Sequence, residues 1–236
     1  MSELTRIERR VVACARCPEL RAYCAEIARV KKREHRDAPY WGKPVPGFGD
    51  RDARVLIVGL APGAHGSNRT GRMFTGDASG VWLYRALHRA GFANQARSVA
   101  IGDGLELRDL YITAALRCAP PQNKPTPLQR KHCLPFLIEE FDALPRLRVV
   151  VTLGKLADDT VHGVFRSRGT LRGRRAPFTH GAQTLYVDET GRGVIVLASY
   201  HPSRQNTNTG VLTEPMLDAI FRTAASLARK ETQTTL

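Results

Sequence analysis

Four short runs of β-branched and aliphatic residues, at 54–58, 110–114, 148–152 and 193–197, pass without polar alternation. A strand that does not alternate must be covered on both faces, the condition of a parallel strand inside a sheet. Between and after these runs lie stretches of helical spacing near 79–90, 127–143, 154–162 and 213–230. Strands alternating with helices predict an α/β fold, with a mainly parallel central sheet and helices on both of its faces. With 236 residues, no internal repeat and no interdomain linker, a single domain over 1–236 is expected. No apolar run approaches the roughly 18–20 residues that span a bilayer. The first twenty residues carry charges throughout, unlike a signal-peptide core, so a cytoplasmic location and no membrane partner are expected.

The remaining segments are less regular. Residues 3–34 are helix-friendly around a turn at Cys14–Cys17, and are followed by the basic cluster Lys31, Lys32, Arg33, His35 and Arg36. Such a cluster is read as a solvated helix end, with contact to a phosphate backbone as the alternative. The Pro- and Gly-rich stretch 37–53 reads as a loop. Arg166, Arg168, Arg172, Arg174 and Arg175 punctuate a basic loop within 164–187, which ends in a hairpin at 183–187. The formal charge of +14 creates a field that favours polyanions, nucleic acid first among them.

Four cysteines form a C-x-x-C pair, Cys14 and Cys17, with two partners about a hundred residues later, Cys118 and Cys133. A chain of this length buries enough surface to fold without crosslinks. The set therefore reads as a clamp between the start and the middle of the chain. Residue type alone does not separate a four-cysteine zinc site from a [4Fe–4S] cluster, or either from reduced core thiols. Cys24 has no evident partner and reads as a buried free thiol.

Ligands of open parallel sheets bind beyond the carboxyl ends of the strands. There, the first strand enters a glycine-punctuated loop running to Asp77, and the last enters a polar loop containing His201. The glycines fit neither a Walker loop nor G-x-G-x-x-G, but they let backbone approach a ligand closely. Asp77 stands where aspartate caps a helix. His201 could polarise a carbonyl or move a proton, and Phe74 could stack on a planar ligand or plug the core.

Taken together, Gly-Leu-Ala-Pro-Gly (59–63), Asn-Arg-Thr-Gly-Arg-Met-Phe-Thr-Gly-Asp (68–77), Cys-Ala-Pro-Pro-Gln-Asn-Lys-Pro-Thr (118–126) and His-Pro-Ser-Arg-Gln-Asn (201–206) resemble the iron–sulfur uracil-DNA glycosylases, specifically their family 5 (type b) branch. The resemblance covers roughly residues 12–225. It implies a three-layer α/β/α sandwich and a structural [4Fe–4S] cluster on Cys14, Cys17, Cys118 and Cys133 that ties the N-terminal helical segment 1–36 to the core. The implied activity is monofunctional hydrolysis of the N-glycosidic bond of uracil in DNA, leaving an abasic site.

The same resemblance implies catalytic roles for Asp77, His201 and Asn123, and base contacts from Gly59, Ala61, Gly63, Phe74 and Asn206. Ser67, Arg69, Ser203, Arg204 and Gln205 would meet DNA, with 204–207 as a polar wedge entering the minor groove. The sister family 4 enzymes carry a carboxylate where this chain has Leu60 and an asparagine where it has Ala114. Both differences imply a tolerant pocket that also takes hypoxanthine and xanthine. Leu60 also leaves open a DNA-binding module that has lost its chemistry. A monomer, associated with the nucleoid when on DNA, is expected.

Overall fold

The computed structural model describes residues 2–167, 175–187 and 193–229. Six strands form one sheet: β1 (Phe48–Gly49), β2 (Val55–Gly59), β3 (Leu110–Ala114), β4 (Val149–Leu153), β5 (Gln183–Val187) and β6 (Gly193–Ser199), in the order β1-β3-β2-β4-β6-β5. The four central strands are mutually parallel, while β1 and β5 run antiparallel at the two edges. Every residue of β2, β3 and β4 is buried, as their unalternating sequences require.

Alternate residues of each strand serve opposite faces. Val55 and Ile57 join Leu83, Tyr84 and Leu87 of α4 (Ala78–Arg89) and Leu217, Ile220 and Phe221 of α8 (Glu214–Arg229). Leu56 and Val58 face the other way, toward Leu4, Ile7 and Val11 of α1 (Glu3–Val12), Phe136 and Leu137 of α5 (Pro127–Asp142) and Val161 and Val164 of α6 (Lys155–Ser167). The chain is thus a three-layer sandwich. Helix α5 begins with Pro127 in its first turn and a capping box in which Thr126 and Gln129 exchange side-chain-to-backbone hydrogen bonds.

A third cluster packs Cys17, Leu20 and Cys24 of the segment entering and forming α2 (Pro18–Val30) against Ala115, Leu116, Cys118, Ala119 and Cys133. Directly behind it lies an ion pair sealed from solvent. Arg117 Nη2 donates to Glu140 Oε2 at 2.5 Å, Thr113 Oγ1 donates to the same oxygen at 2.7 Å, and Arg117 also donates to Thr113. Arg117 and Glu140 are 1% and 0% exposed, so neither charge has water to fall back on.

Several expectations change. The stretch 37–53 is not wholly loop, because Phe48–Gly49 pairs with β3 at the sheet edge. The helix begun at 154–162 continues to Ser167 and includes Arg166. Arg175 forms no free basic surface: it donates to Asp158 and Asp159 at 2.6 and 2.7 Å. Arg168, Arg172 and Arg174 lie outside the described residues. The strand pairing of β5 with β6 agrees with the hairpin. No described helix is long and apolar enough to cross a membrane.

Candidate active site

A cleft of about 730 Å³ opens at the carboxyl ends of the central strands. Its wall is largely the segment from Leu60 to Ser79, which contains the short helix α3 (Ser67–Thr70). Buried polar side chains fix the shape of this loop. Asn68, fully buried, donates from Nδ2 to the carbonyls of Cys24 and Ala64, both at 3.3 Å, and so ties the loop to α2. Arg69 donates to the His65 and Gly76 carbonyls, and buried Arg72 forms a two-pronged pair with Asp103 at 2.9 and 2.6 Å.

Asp77 sits at the end of this loop. Its Oδ1 caps α4 by accepting the Gly80 N–H at 2.9 Å. Its Oδ2 caps nothing and packs against two glycines, where a Cβ added at Gly66 would collide with it and one at Gly63 would lie 3.1 Å away. The capping and reactive readings of Asp77 are therefore compatible, one oxygen for each. Burial pushes its carboxyl above the ordinary value, against the backbone N–H groups of Gly80 and Ser79 and the charges of Arg69 and Arg204.

Phe74 has a left-handed backbone (φ +52°), a strained conformation for an aromatic residue that only dense packing maintains. The packing is visible at two glycines: a Cβ at Gly59 would strike the Phe74 ring at 2.7 Å, and one at Gly80 would overlap its carbonyl oxygen. The ring lies 6.0 Å from the His201 ring, tilted by 32°. Burial lowers the His201 pKa to about 4, so its imidazole is neutral in ordinary buffers. Its carbonyl accepts from Asn206 Nδ2 at 2.9 Å and from the Ser203 N–H at 2.8 Å.

Of the residues singled out in the sequence, Ala61, Gly63, Ser67, Phe74, Asp77, Asn123, His201, Ser203, Arg204 and Gln205 line the cleft together. Gly59 lies beneath Phe74, Arg69 is engaged by two loop carbonyls, and Asn206 braces the His201 backbone from outside the lining. Asn123 stands exposed on a tight turn at Pro121–Asn123, with φ +57°. Residues 204–207, expected as a polar wedge, begin the helical turn α7 (Arg204–Asn208), capped by Ser203. The Ala61 and Gly63 N–H groups have no hydrogen-bond partner among the described residues.

Among the cleft residues that escaped the sequence reading of the site are Tyr23, Glu34, His65 and Gln122. His65 adjoins the glycines already singled out, and its place between Gly63 and Gly66 is the signal that points to it. Lys32 and His35, grouped with a solvated helix end, are on the cleft rim beside the short turn Arg33–His35.

Residues 46–225 match the model of the uracil DNA glycosylase superfamily. The chain belongs to that superfamily. Within it, the chain is 50% identical over 218 residues to the type-5 uracil-DNA glycosylase of Thermus thermophilus (92% of this chain, 95% of the relative). It is 49% identical over 219 residues to that of Mycobacterium tuberculosis (92% and 79%). A type-4 uracil-DNA glycosylase of Archaeoglobus fulgidus is 32% identical over 160 residues (67% and 70%). This glycosylase-superfamily chain thus falls in the type-5 branch, and the sandwich, the cleft and the glycine loop are read as that branch's scaffold.

The cysteines come from three places in this glycosylase fold: Cys14 and Cys17 from the turn between α1 and α2, Cys118 from the loop after β3, and Cys133 from α5. All are free of disulfides. Cys24 is buried as expected but not partnerless, since its Sγ donates to the Ala119 carbonyl at 3.7 Å. Among the described residues, no three His, Cys, Asp or Glu side chains are gathered as around a single metal ion.

Proposed function

We propose that this chain hydrolyses the N-glycosidic bond of uracil in DNA. The observation that carries the reading is Asp77 Oδ2, the oxygen of a half-buried carboxylate left over from helix capping, in a cleft shared with Phe74 and a neutral histidine. A base in the duplex is out of reach, so the nucleotide must be flipped into the cleft. Phe74 offers its ring to the flipped base. As the C1′–N bond breaks, its electron pair leaves with the base. The His201 imidazole and the uncommitted N–H groups of Ala61 and Gly63 stabilise the charge developing there.

The sugar becomes oxocarbenium-like, and Asp77 stabilises it while water adds to C1′ and its proton passes to the departing base. Asn123, at the cleft mouth, meets the base edge or the incoming water. Arg204, Gln205 and Ser203 form the rim that meets phosphates and fills the vacated stack. Leu60 and Ala114 present no polar group to read the base edge, which supports acceptance of hypoxanthine and xanthine as well.

We read Cys14, Cys17, Cys118 and Cys133 as ligands of a [4Fe–4S] cluster. The donor set fits: four thiols, none in a disulfide, three of them in one apolar cluster between α2, the loop after β3 and α5. Such a group would brace the N-terminal helices against the core and takes no part in glycosidic cleavage. Anaerobically purified protein should contain about four iron and four sulfide per chain; active protein with stoichiometric zinc instead would reassign the thiols.

The activity is tested by single-turnover release from duplexes carrying uracil, hypoxanthine or no lesion, with alkali to reveal abasic sites. Release from both lesions and none from undamaged DNA is the expected result. Binding without release from any duplex would make the chain a DNA-binding module.

A further inference from the structure

One lip of the cleft is built by residues 32–40, which precede the region matched by the superfamily model. Tyr40 is its keystone. The Tyr40 hydroxyl accepts the Lys32 backbone N–H at 3.4 Å and lies 3.0 Å from His65 Nδ1, with the two rings edge to face. With the Lys32 N–H given to this oxygen, the pairing that leaves Nε2 free to donate into the cleft has the tyrosine proton on Nδ1. His65 must then carry its own hydrogen on Nε2. The His65 main chain is held in turn by Arg69, whose Nε donates to its carbonyl at 2.8 Å.

Around this imidazole stand the basic side chains of Lys32, His35 and Arg69, with the Glu34 carboxylate between the first two. Glu34 Oε1 lies 2.8 Å from Lys32 Nζ and 3.2 Å from His35 Nε2. Arg204 is close enough to act on the Glu34 carboxyl electrostatically. Glu34, set among these cations at the cleft mouth and apart from Asp77, the other carboxylate of the lining, occupies the position that an anionic ligand would take.

We propose that Lys32, His35 and the Nε2–H of His65 form a seat for one phosphate of the DNA backbone, in which Glu34 is an internal placeholder displaced when the strand arrives. The seat rests on the reading that the cleft takes DNA. Its role is to fix the strand on the side opposite in sequence to the Ser203–Gln205 rim, so that the flipped nucleotide is held from two separate segments. Glu34 would keep the cations paired when no strand is bound, at the expense of affinity.

The test is the salt dependence of half-saturation in single-turnover release from a uracil duplex. Lys32→Ala should flatten the slope of log K against log salt by about 0.9, the loss of one phosphate contact. Glu34→Gln should tighten binding at every salt concentration. In duplexes with single neutral methylphosphonates, one position should weaken the wild type several-fold yet leave Lys32→Ala unaffected. Tyr40→Phe, read by the nitrogen resonances of His65, should replace a pure Nε2–H tautomer by a mixture, while His65→Gln should weaken half-saturation more than the maximal rate. An unchanged slope in Lys32→Ala, unchanged affinity in Glu34→Gln, no such methylphosphonate position, or an Nδ1–H tautomer in the wild type would overturn the seat. Absence of release by the wild type would instead strike the glycosylase reading itself.

Discussion

Asp77→Asn should slow single-turnover base release by about 10²–10³-fold while leaving DNA binding and thermal stability nearly intact. Asparagine caps helices as well as aspartate does, so the bond from Gly80 to the side-chain oxygen survives and only the charge is lost. The magnitude is that of removing one electrostatic stabiliser of a transition state. Gly66→Ala offers the complementary test. It keeps the charge but places a methyl group where Oδ2 now lies, so the carboxylate must move. It should also slow release. The pH profile adds a third check. Because burial raises the Asp77 carboxyl, wild-type activity should fall on acidification earlier than an ordinary aspartate would allow, and Asp77→Asn should lack that limb. His201, neutral down to about pH 4, adds no limb above that value. Equal release rates in wild type and Asp77→Asn would remove Asp77 from the chemistry.

Arg117→Ala should destabilise the fold by about 3–5 kcal/mol, because it leaves the Glu140 carboxylate buried without its partner. That is a large fraction of what holds a domain together. Burial already raises the Glu140 carboxyl, against Arg117 and Thr113. Its folded-state value therefore lies above the unfolded one. The penalty of ionising it is absent below the unfolded value and grows as pH rises toward the folded one, so Arg117→Ala should recover part of its stability in acid. Paired replacement with Arg117→Met and Glu140→Leu should recover more, since two apolar side chains leave no orphaned charge. Urea titrations at two pH values would decide both points; a loss under about 1 kcal/mol, independent of pH, would show that the pair contributes little.

The central sheet is legible because local sequence is sufficient there. Runs such as 55–58 have no solvent face, and no arrangement other than an interior parallel strand suits them. The starts of α4 and α5 are readable for the same reason, from Asp77, Thr126 and Pro127. What escaped is set by tertiary contacts. Phe48–Gly49 is a strand only because β3 offers it an edge. The helical turn at Arg204–Asn208 depends on a Ser203 cap and on five residues with no apolar periodicity. Lys32 and His35 look like any charged helix end until Tyr40 and His65 fold against them. At the site, spacing could not choose between a capping and a reactive Asp77, because that choice lies in which oxygen faces Gly80 and which faces Gly66.

Asn68 has a practical bearing on how this chain can be shortened. Its side-chain amide holds the cleft loop to the Cys24 carbonyl on α2, and the Gly42 and Trp41 N–H groups clasp the same loop through the carbonyls of Asn68 and Arg69. A chain trimmed to the superfamily match at 46–225 would retain Asp77, Phe74 and His201 and still be a poor enzyme. Three of the clasps that shape its cleft loop would be gone, so domain boundaries drawn by sequence matching would here cut through the working unit.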